Sequence, residues 1–536
     1  MDLKQEVQAW IADDPDPKTA AQLQQWLDSN NEVELRASFS GFLQFGTAGL
    51  RGPIRPGPSG MNQAVVGRTA AGIAAYMTER NLTSVVIGRD ARYGSEDFTF
   101  ETAQIMSGAG MKVYVLPRPL PTPVLAFATN ELKCDVGIMV TASHNPPQDN
   151  GYKVYLGGTV DGIHYRGSQI VSPTDESIAQ KIDSITSLAS QPRGKEWTVL
   201  GEEVVDKYVG ITAALAHKPG NLKIVYTAMH GVGTETLQRV FHKAGFPQPI
   251  LVDSQAKPDP DFPTVAFPNP EEPGAIDLAL ETARAFDADL VIANDPDADR
   301  CAAAVKDPIK GWRMLRGDEL GVIFGETIAR ATTQGILANS IVSSSILSKI
   351  AAHYKLDFKE TLTGFKWLAK IDGLTFGYEE ALGYAVDAIT VNDKDGISAA
   401  IKLAQIATDL AAQSKTLLDL LDEVWARHGF HATEQISIRL SDLSQVGVIM
   451  GNLRRNSPKE IAGRLITSID DLAKPKDGLP PTDGLRIWLD GGIRIIIRPS
   501  GTEAKMKCYI EAIAKDSATA QTVLDQLRAP LKELLS

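Results

Sequence analysis

Asp295, Asp297 and Asp299 sit on alternate positions of Asn294-Asp295-Pro296-Asp297-Ala298-Asp299-Arg300. Three such close anions repel one another unless a cation neutralises them, and hard carboxylate oxygens suit magnesium. On an extended loop, alternate side chains project to the same side, so all three are expected to face one point. A calcium EF-hand begins similarly, but it needs Gly at its sixth position and Glu at its twelfth. Here Arg300 and Lys306 stand there, which excludes it. A solvated acidic turn is the competing reading. The apolar run Asp289-Leu290-Val291-Ile292-Ala293 and the rigid Pro296 favour a metal site.

A second chemical stretch is Thr141-Ala142-Ser143-His144-Asn145-Pro146-Pro147, after the apolar run Val136-Gly137-Ile138-Met139-Val140. This reads as a short buried strand feeding a loop, and the prolines oppose a helix starting inside it. A serine at a strand end serves as nucleophile, phosphate ligand or turn residue. A third stretch, Arg498-Pro499-Ser500-Gly501-Thr502-Glu503, follows Ile495-Ile496-Ile497. An arginine fork, hydroxyls and backbone amides there make an anion site, with Lys505 and Lys507 nearby. Glu379-Glu380, between Gly377 and Gly383, offers acceptors for sugar hydroxyls or else a solvated turn. Finally, Phe45-Gly46-Thr47-Ala48-Gly49-Leu50-Arg51-Gly52 permits close backbone approach and an Arg51–phosphate pair, but taken alone it reads first as a glycine-rich turn with a solvated arginine. Gly231 and Gly233 begin a dinucleotide-like pattern, but Thr236 breaks it, and His230 reads as a hydrogen-bonded loop residue.

These loops need strands and helices to position them. Residues 1–37 read as a helical packing appendage. Strand-like runs then alternate with helical stretches, the pattern of α/β layers. From about residue 430 the pattern changes to alternating strands and a terminal helix with Val523, Leu527, Leu531 and Leu535 as its core stripe. The expected domains are 1–205 with the serine loop, 206–316 with the aspartate loop, 317–429 with the Glu379 loop, and an α+β domain over 430–536. The 536 residues, 43% hydrophobic and 22% charged, are those of an ordinary globular protein. Three scattered cysteines form no metal-ligand pair and suit a reducing compartment. No leader or spanning segment of ~20 apolar residues is evident, so the cytoplasm is the expected location. The formal charge of -12 argues against nonspecific nucleic-acid or membrane binding. An anionic ligand would need local cations such as Arg51 and Arg498.

The loops TASHNPP, DPDADR, GYEEALG and RPSGTE, in this order, together with FGTAGLRG and the KDG segment at Lys394, resemble the α-D-phosphohexomutases. That superfamily contains phosphoglucomutases and phosphomannomutases, and the resemblance covers nearly the whole chain. It implies an α/β fold of four domains around a central cleft, three related α/β domains and a C-terminal α+β domain. It makes Ser143 a phosphoserine, holding magnesium together with Asp295, Asp297 and Asp299. Arg51, His144, Lys153 and Arg300 would surround the transferring phosphoryl group. Glu379, with Glu380 beside it, would read sugar hydroxyls, and Lys394 would contact substrate. Arg498, Ser500, Gly501 and Thr502 would grip the non-reacting phosphate.

The implied activity interconverts sugar 1- and 6-phosphates, glucose first and possibly mannose, through a bisphosphate such as glucose 1,6-bisphosphate. His144 and Lys153 both remain as candidate bases. One departure is visible: many phosphoglucomutases resemble GEES at the sugar loop, whereas Ala381 follows Glu379-Glu380 here. That loop resembles a subgroup with phosphomannomutase-like and phosphopentomutase-like members, so a pentose 1-phosphate/5-phosphate mutase is the alternative. A metal-dependent phosphatase and a catalytically silent sugar-phosphate sensor are the readings from other classes. An intact Ser143 and aspartate triad argue against the sensor.

Overall fold

The structure, a computed structural model, describes residues 2–46, 49–442, 444–476, 478–500 and 505–535. Gly501 and Thr502 of the expected phosphate site lie outside the described residues. The chain forms two compact units. One comprises Met1–Leu315, Ala369–Asp372 and Ala381–Ala412; the other comprises Arg316–Leu368, Gly373–Glu380 and Gln413–Ser536. No helix among the described residues is long and apolar enough to cross a membrane.

In the first unit, the strand Val136–Val140 pairs in parallel with Ser84–Arg89 and antiparallel with Asp149–Leu156. All five of its residues are buried, which explains the unbroken apolar run where an alternating one would mark an exposed face. Burying Val136, Ile138 and Val140 contributes about 1.5–3 kcal/mol each. The strand therefore fixes where the serine loop begins. Around it the sheet runs, in spatial order, Leu50–Pro53, Asp149–Leu156, Val136–Val140, Ser84–Arg89, Lys112–Val115 and Thr198–Val199. The flanking helix Gln63–Glu79 starts at Asn62, whose side chain accepts from Val65 N at 2.9 Å, the expected satisfaction of an orphan helix amide.

A second sheet in this unit orders Ile250–Leu251, Ile224–Thr227, Leu290–Ala293, Ala302–Asp307 and Gly311–Met314. Its first three strands are parallel. The aspartate loop leaves the C-terminal end of Leu290–Ala293, as the serine loop leaves Val136–Val140. In open α/β sheets this is the end where ligands bind. The helix Gly396–Ala411 packs on Glu203–Ala213 and Gly233–Lys243, far upstream in sequence. Asp395 caps it by accepting from Ile397 N and Ser398 N, both at 3.0 Å. The N-terminal helices Leu3–Asp13, Pro17–Asp28 and Glu32–Ser38 share a small core of Val7, Leu23, Leu27 and Leu35. Asp13 fastens them by accepting from Leu188 N at 2.7 Å and Ala189 N at 2.8 Å. This is the appendage expected from sequence.

The second unit holds the parallel strands Asp357–Thr361, Ile336–Ser340 and Leu374–Glu379. It also holds an antiparallel sheet ordered Phe430–Arg439, Lys505–Ala514, Ile493–Pro499, Leu485–Leu489 and Arg464–Asp471. The helix Ser517–Leu534 covers that sheet through Ala520, Leu524, Leu527 and Leu531. The expected stripe began at Val523, which is only partly buried. A strict four-residue spacing drifts off a 3.6-residue face, and the observed 4-3-4 spacing stays on it.

Candidate active site

The serine loop and the aspartate loop meet within the first unit. Ser143 is buried, and its Oγ donates to Asp295 Oδ2 at 2.8 Å. His144 Nδ1 lies 3.2 Å from the same Oγ. Ser143 has φ 52° and Ala298 φ 52°, left-handed values that side chains other than glycine adopt at a cost of order 1–3 kcal/mol. Both residues sit at loop corners that aim neighbouring side chains.

Asp295, Asp297 and Asp299 are almost completely buried. Each offers a carboxylate oxygen within 4.8 Å of the others. Among the described residues this is the one such cluster of three. The convergence was expected on an extended loop, but the loop is a turn: Ala298 N donates to Asp295 O at 2.8 Å. The shared direction thus comes from a chain reversal with a left-handed corner, not from strand-like alternation.

Cations enclose the triad. Lys153 Nζ donates to Asp297 Oδ2 at 2.7 Å and to Asp299 Oδ2 at 2.9 Å. Lys394 Nζ lies 3.3 Å from Asp299 Oδ2. Arg300 Nε lies 3.8 Å from both Asp295 Oδ2 and Asp299 Oδ1. Burial and the two neighbouring carboxylates push Asp295 well above the usual carboxylate range. Burial opposes ionisation of Asp299, but Lys153, Lys394 and Arg300 outweigh it and hold the group down. Burial likewise works against the Lys153 ammonium, yet Asp297 and Asp299 raise it overall. Burial, Arg300 and Arg51 hold the His144 imidazole well below its usual range.

The donor set fits a divalent cation. Asp297 Oδ1 and Asp299 Oδ1 are buried carboxylate oxygens without a hydrogen-bond partner. Buried acceptors of that kind are costly unless something neutralises them. An oxygen-preferring ion such as magnesium meets that need.

Several supports were not legible as site residues. Thr122 Oγ1 donates to Asp297 Oδ2 at 2.7 Å, and Thr122 N to Asp297 O at 2.9 Å. Behind the loop, Tyr226 Oη donates to Asn294 Oδ1 at 2.8 Å, and Asn294 Nδ2 donates to Arg300 O at 2.6 Å. The glycines of Gly231-Val232-Gly233 have a structural reason. A Cβ on Gly231 would lie 2.3 Å from both Cα and O of Pro296. The segment lets backbone press on the aspartate loop, and His230 Nε2 bonds Thr264 Oγ1 at 2.8 Å, as a loop residue. Arg51 Nη1 donates to Asn145 Oδ1 at 3.1 Å, beside the serine. Gly49, at φ 81°, passes so close to Tyr152 that a Cβ would lie 1.8 Å from its carbonyl oxygen.

The remaining expected residues lie in the second unit. Gly364 N donates to Glu379 Oε1 at 2.6 Å, which fixes one carboxylate oxygen. Glu380 Oε2 accepts from Ser340 Oγ and Ser343 Oγ, both at 3.2 Å, so Glu380 ties the loop to its own scaffold. Arg498, half-buried, lies near the end of the strand Ile493–Pro499, opposite Lys507. Ser500 N donates to Lys505 O at 2.8 Å. Glu380, Glu379 and Arg498 all act on Tyr509. Burial raises its hydroxyl pKa first, Glu380 next, and Arg498 opposes them. Tyr509 marks where the Glu379-Glu380 loop and Arg498 converge, and its strand position alone gave no sign of this.

Models of the phosphoglucomutase/phosphomannomutase family match the chain through all four of that family's parts. These are alpha/beta/alpha domain I over residues 43–189, domain II over 204–311, domain III over 316–428 and the C-terminal domain over 450–529. The chain is 48% identical over 482 residues to the probable phosphomannomutase of Haemophilus influenzae, covering 89% of this chain and 98% of that one. It is 33% identical over 595 residues to the phosphopentomutase of Mus musculus, covering 99% and 94%. A crystal structure of a phosphoglucomutase/phosphomannomutase family protein from Burkholderia thailandensis shares the fold, with TM-score 0.71 at 20% identity over 91% of this chain and 97% of that one. The chain therefore belongs to the phosphoglucomutase/phosphomannomutase family, the α-D-phosphohexomutases, and catalyses an intramolecular phosphoryl transfer.

Proposed function

We propose that this enzyme interconverts the 1-phosphate and 6-phosphate of a hexose, glucose first and mannose second, with Ser143 as phosphoryl carrier. The observation that carries this reading is the buried Ser143 Oγ, 2.8 Å from Asp295 within a triad whose outer oxygens call for a cation. A phosphoryl group on that Oγ would stand beside Asp295, Asp297 and Asp299, which would hold magnesium together with it. When bound, that ion neutralises charge spreading over the transferring phosphoryl oxygens.

In the first transfer the Ser143 Oγ–P bond breaks and a bond forms to the free hydroxyl of the sugar monophosphate. His144 accepts the proton of that hydroxyl and returns it to Ser143 Oγ, which leaves with the bonding pair. It is assigned on geometry, since its Nδ1 is 3.2 Å from the serine oxygen while Lys153 is committed to two carboxylates. Arg51 and Arg300 offset the charge of the phosphoryl group, and Lys394 orients the substrate. The product is a sugar bisphosphate, glucose 1,6-bisphosphate for the leading substrate. It turns over before Ser143 takes the other phosphoryl group, so no phosphate is consumed. Glu379 accepts sugar hydroxyls through the oxygen not fixed by Gly364, and Glu380 holds that loop in place. Arg498, Ser500, Gly501 and Thr502 bind the phosphate that is not reacting.

The likeness to the mouse phosphopentomutase supports a second reading, the 1-phosphate/5-phosphate exchange of ribose or deoxyribose. Comparing kcat/KM for glucose, mannose, ribose and deoxyribose 1-phosphates, with magnesium and a trace of bisphosphate, decides between them. A Ser143→Ala variant is expected to fold and to lose turnover with every sugar. Full turnover in that variant refutes the phosphoserine cycle, and stoichiometric release of inorganic phosphate refutes the mutase reading in favour of a phosphatase.

A further inference from the structure

Arg92 is absent from the motifs that point to the chemistry, yet its guanidinium is the hub of the serine loop. The side chain is 1% exposed. Nη2 donates to Ser143 O at 2.7 Å and to Asn145 O at 2.5 Å. Nη1 donates to Pro146 O at 2.8 Å and to Asp149 O at 3.1 Å. Four carbonyls of one short loop thus converge on a single planar fork. Lysine, with donors radiating from one point, cannot reproduce that geometry.

The fork is itself held. Asp90 Oδ2 lies 3.4 Å from Arg92 Nε, and Asp90 Oδ1 accepts from Arg92 N at 3.0 Å and from Ser95 Oγ at 2.6 Å. The guanidinium carbon lies 4.8 Å from the centre of the Phe262 ring. Phe262 belongs to the loop after the strand Ile250–Leu251, and Tyr93 Oη reaches the same loop by donating to Asp261 Oδ1 at 3.0 Å. One side chain therefore grips the serine loop on one side and stacks on the aspartate-bearing part of the chain on the other.

We propose that Arg92 is a positioning residue for phosphoryl transfer, a clamp that sets Ser143 Oγ against the aspartate triad by fixing the carbonyl of Ser143 and those of its loop. It touches no substrate. It acts through the backbone of a residue whose left-handed φ of 52° needs outside restraint. Displacing a reacting atom by ~1 Å costs about 100-fold in rate, so such a clamp governs kcat and leaves sugar binding alone. The inference rests on Ser143 being the phosphoryl carrier.

The test uses the full-length enzyme, loaded with glucose 1,6-bisphosphate and magnesium, with phosphoserine occupancy read by intact mass. Arg92→Lys keeps the charge and loses the fork. It is expected to fold with a lowered thermal midpoint, hold KM within about threefold of wild type and lose about 100-fold in kcat. Arg92→Ala opens a space beside the small cavity lined by Asp90, His230, Asp259 and Phe262. Millimolar guanidinium is expected to restore at least part of its kcat, and ammonium at equal ionic strength to restore none. A folded Arg92→Lys enzyme with wild-type kcat, or a loss confined to KM, overturns the clamp, as does equal rescue by ammonium. A wild-type enzyme that turns over yet carries no phosphate on Ser143 would instead refute the Ser143 reading, so the two failures are distinct.

Discussion

Glu511, in the strand Lys505–Ala514, is the anchor of the second unit that admits the sharpest test. Its Oε1 accepts from Ser344 Oγ at 2.7 Å, Ser345 N at 2.8 Å and His431 Nδ1 at 2.9 Å, while Arg494 Nη2 lies 3.0 Å from Oε2. Burial opposes the charged carboxylate, but Arg494 and His431 outweigh it and lower its pKa from 4.5 to about 2. At about 1.4 kcal/mol per pKa unit, ionised Glu511 contributes on the order of 3 kcal/mol. Removing one partner of a buried ion pair costs about 3–5 kcal/mol, which agrees. The folded pKa lies below the unfolded one, so the contribution is complete above pH 4.5 and is lost as pH falls towards 2. At pH 3 about 1 kcal/mol remains by the same linkage. Glu511→Gln is therefore expected to destabilise the second unit by about 3 kcal/mol at pH 7 and by about 1 kcal/mol at pH 3. Pulsed amide exchange of the Lys505–Ala514 peptide across a urea series measures both values. Because Ser344, which Glu511 holds, adjoins Ser343, which bonds Glu380, KM should rise more than kcat falls. A penalty that stays constant from pH 7 to pH 3, or one under ~1 kcal/mol at pH 7, refutes the reasoning.

Two other perturbations probe the aspartate loop from behind. Gly231→Ala places a Cβ 2.3 Å from Pro296 backbone, so the loop must shift. Magnesium affinity by calorimetry should weaken at least about tenfold, with kcat falling alongside, since ligands held to ~0.5 Å tolerate little displacement. Unchanged affinity would show that the loop is not braced there. Thr122→Val deletes a hydrogen bond to a buried carboxylate, a loss of about 1.5–3 kcal/mol in the metal-free protein. Saturating magnesium should narrow that gap, because the cation takes over neutralisation of Asp297. An equal loss with and without magnesium, measured by urea unfolding, would contradict it.

How much of this was legible in the sequence follows from distance along the chain. The serine strand and the aspartate loop announce themselves because strand, turn and polar side chains lie within ten residues of one another. Thr122 and Arg92 do not, since their partners are 175 and 51 residues away and their own neighbourhoods are ordinary turns. The KDG segment illustrates a subtler gap. Lys394 reaches Asp299, and a Cβ on Gly396 would lie 2.2 Å from Arg300 O, so this segment packs with the first unit. Sequence order places it after the Glu379 loop, which belongs to the second. Nothing local encodes that exchange, because it is made by the helix Gly396–Ala411 finding its apolar partners in Glu203–Ala213 and Gly233–Lys243.

The aspartate loop shows why an expectation of three converging carboxylates can hold on a different geometry from the one that suggested it. Alternation along an extended chain and a tight turn with a left-handed corner both gather side chains at positions i, i+2 and i+4, and the sequence does not distinguish them. They differ in what must hold them. An extended loop needs a neighbouring strand, whereas this turn needs its strained corner at Ala298 opposed from outside. That opposition is present: Gly396 N donates to Ala298 O at 3.1 Å, and Val232 N to Pro296 O at 2.8 Å. Glycine at 231 and at 396 lets both segments come close enough. The serine loop repeats the arrangement with Ser143 as its corner and the Arg92 fork as its restraint. Each corner stores of order 1–3 kcal/mol, more than a lone loop would retain, so the contacts that oppose it belong to the site as much as the residues it aims.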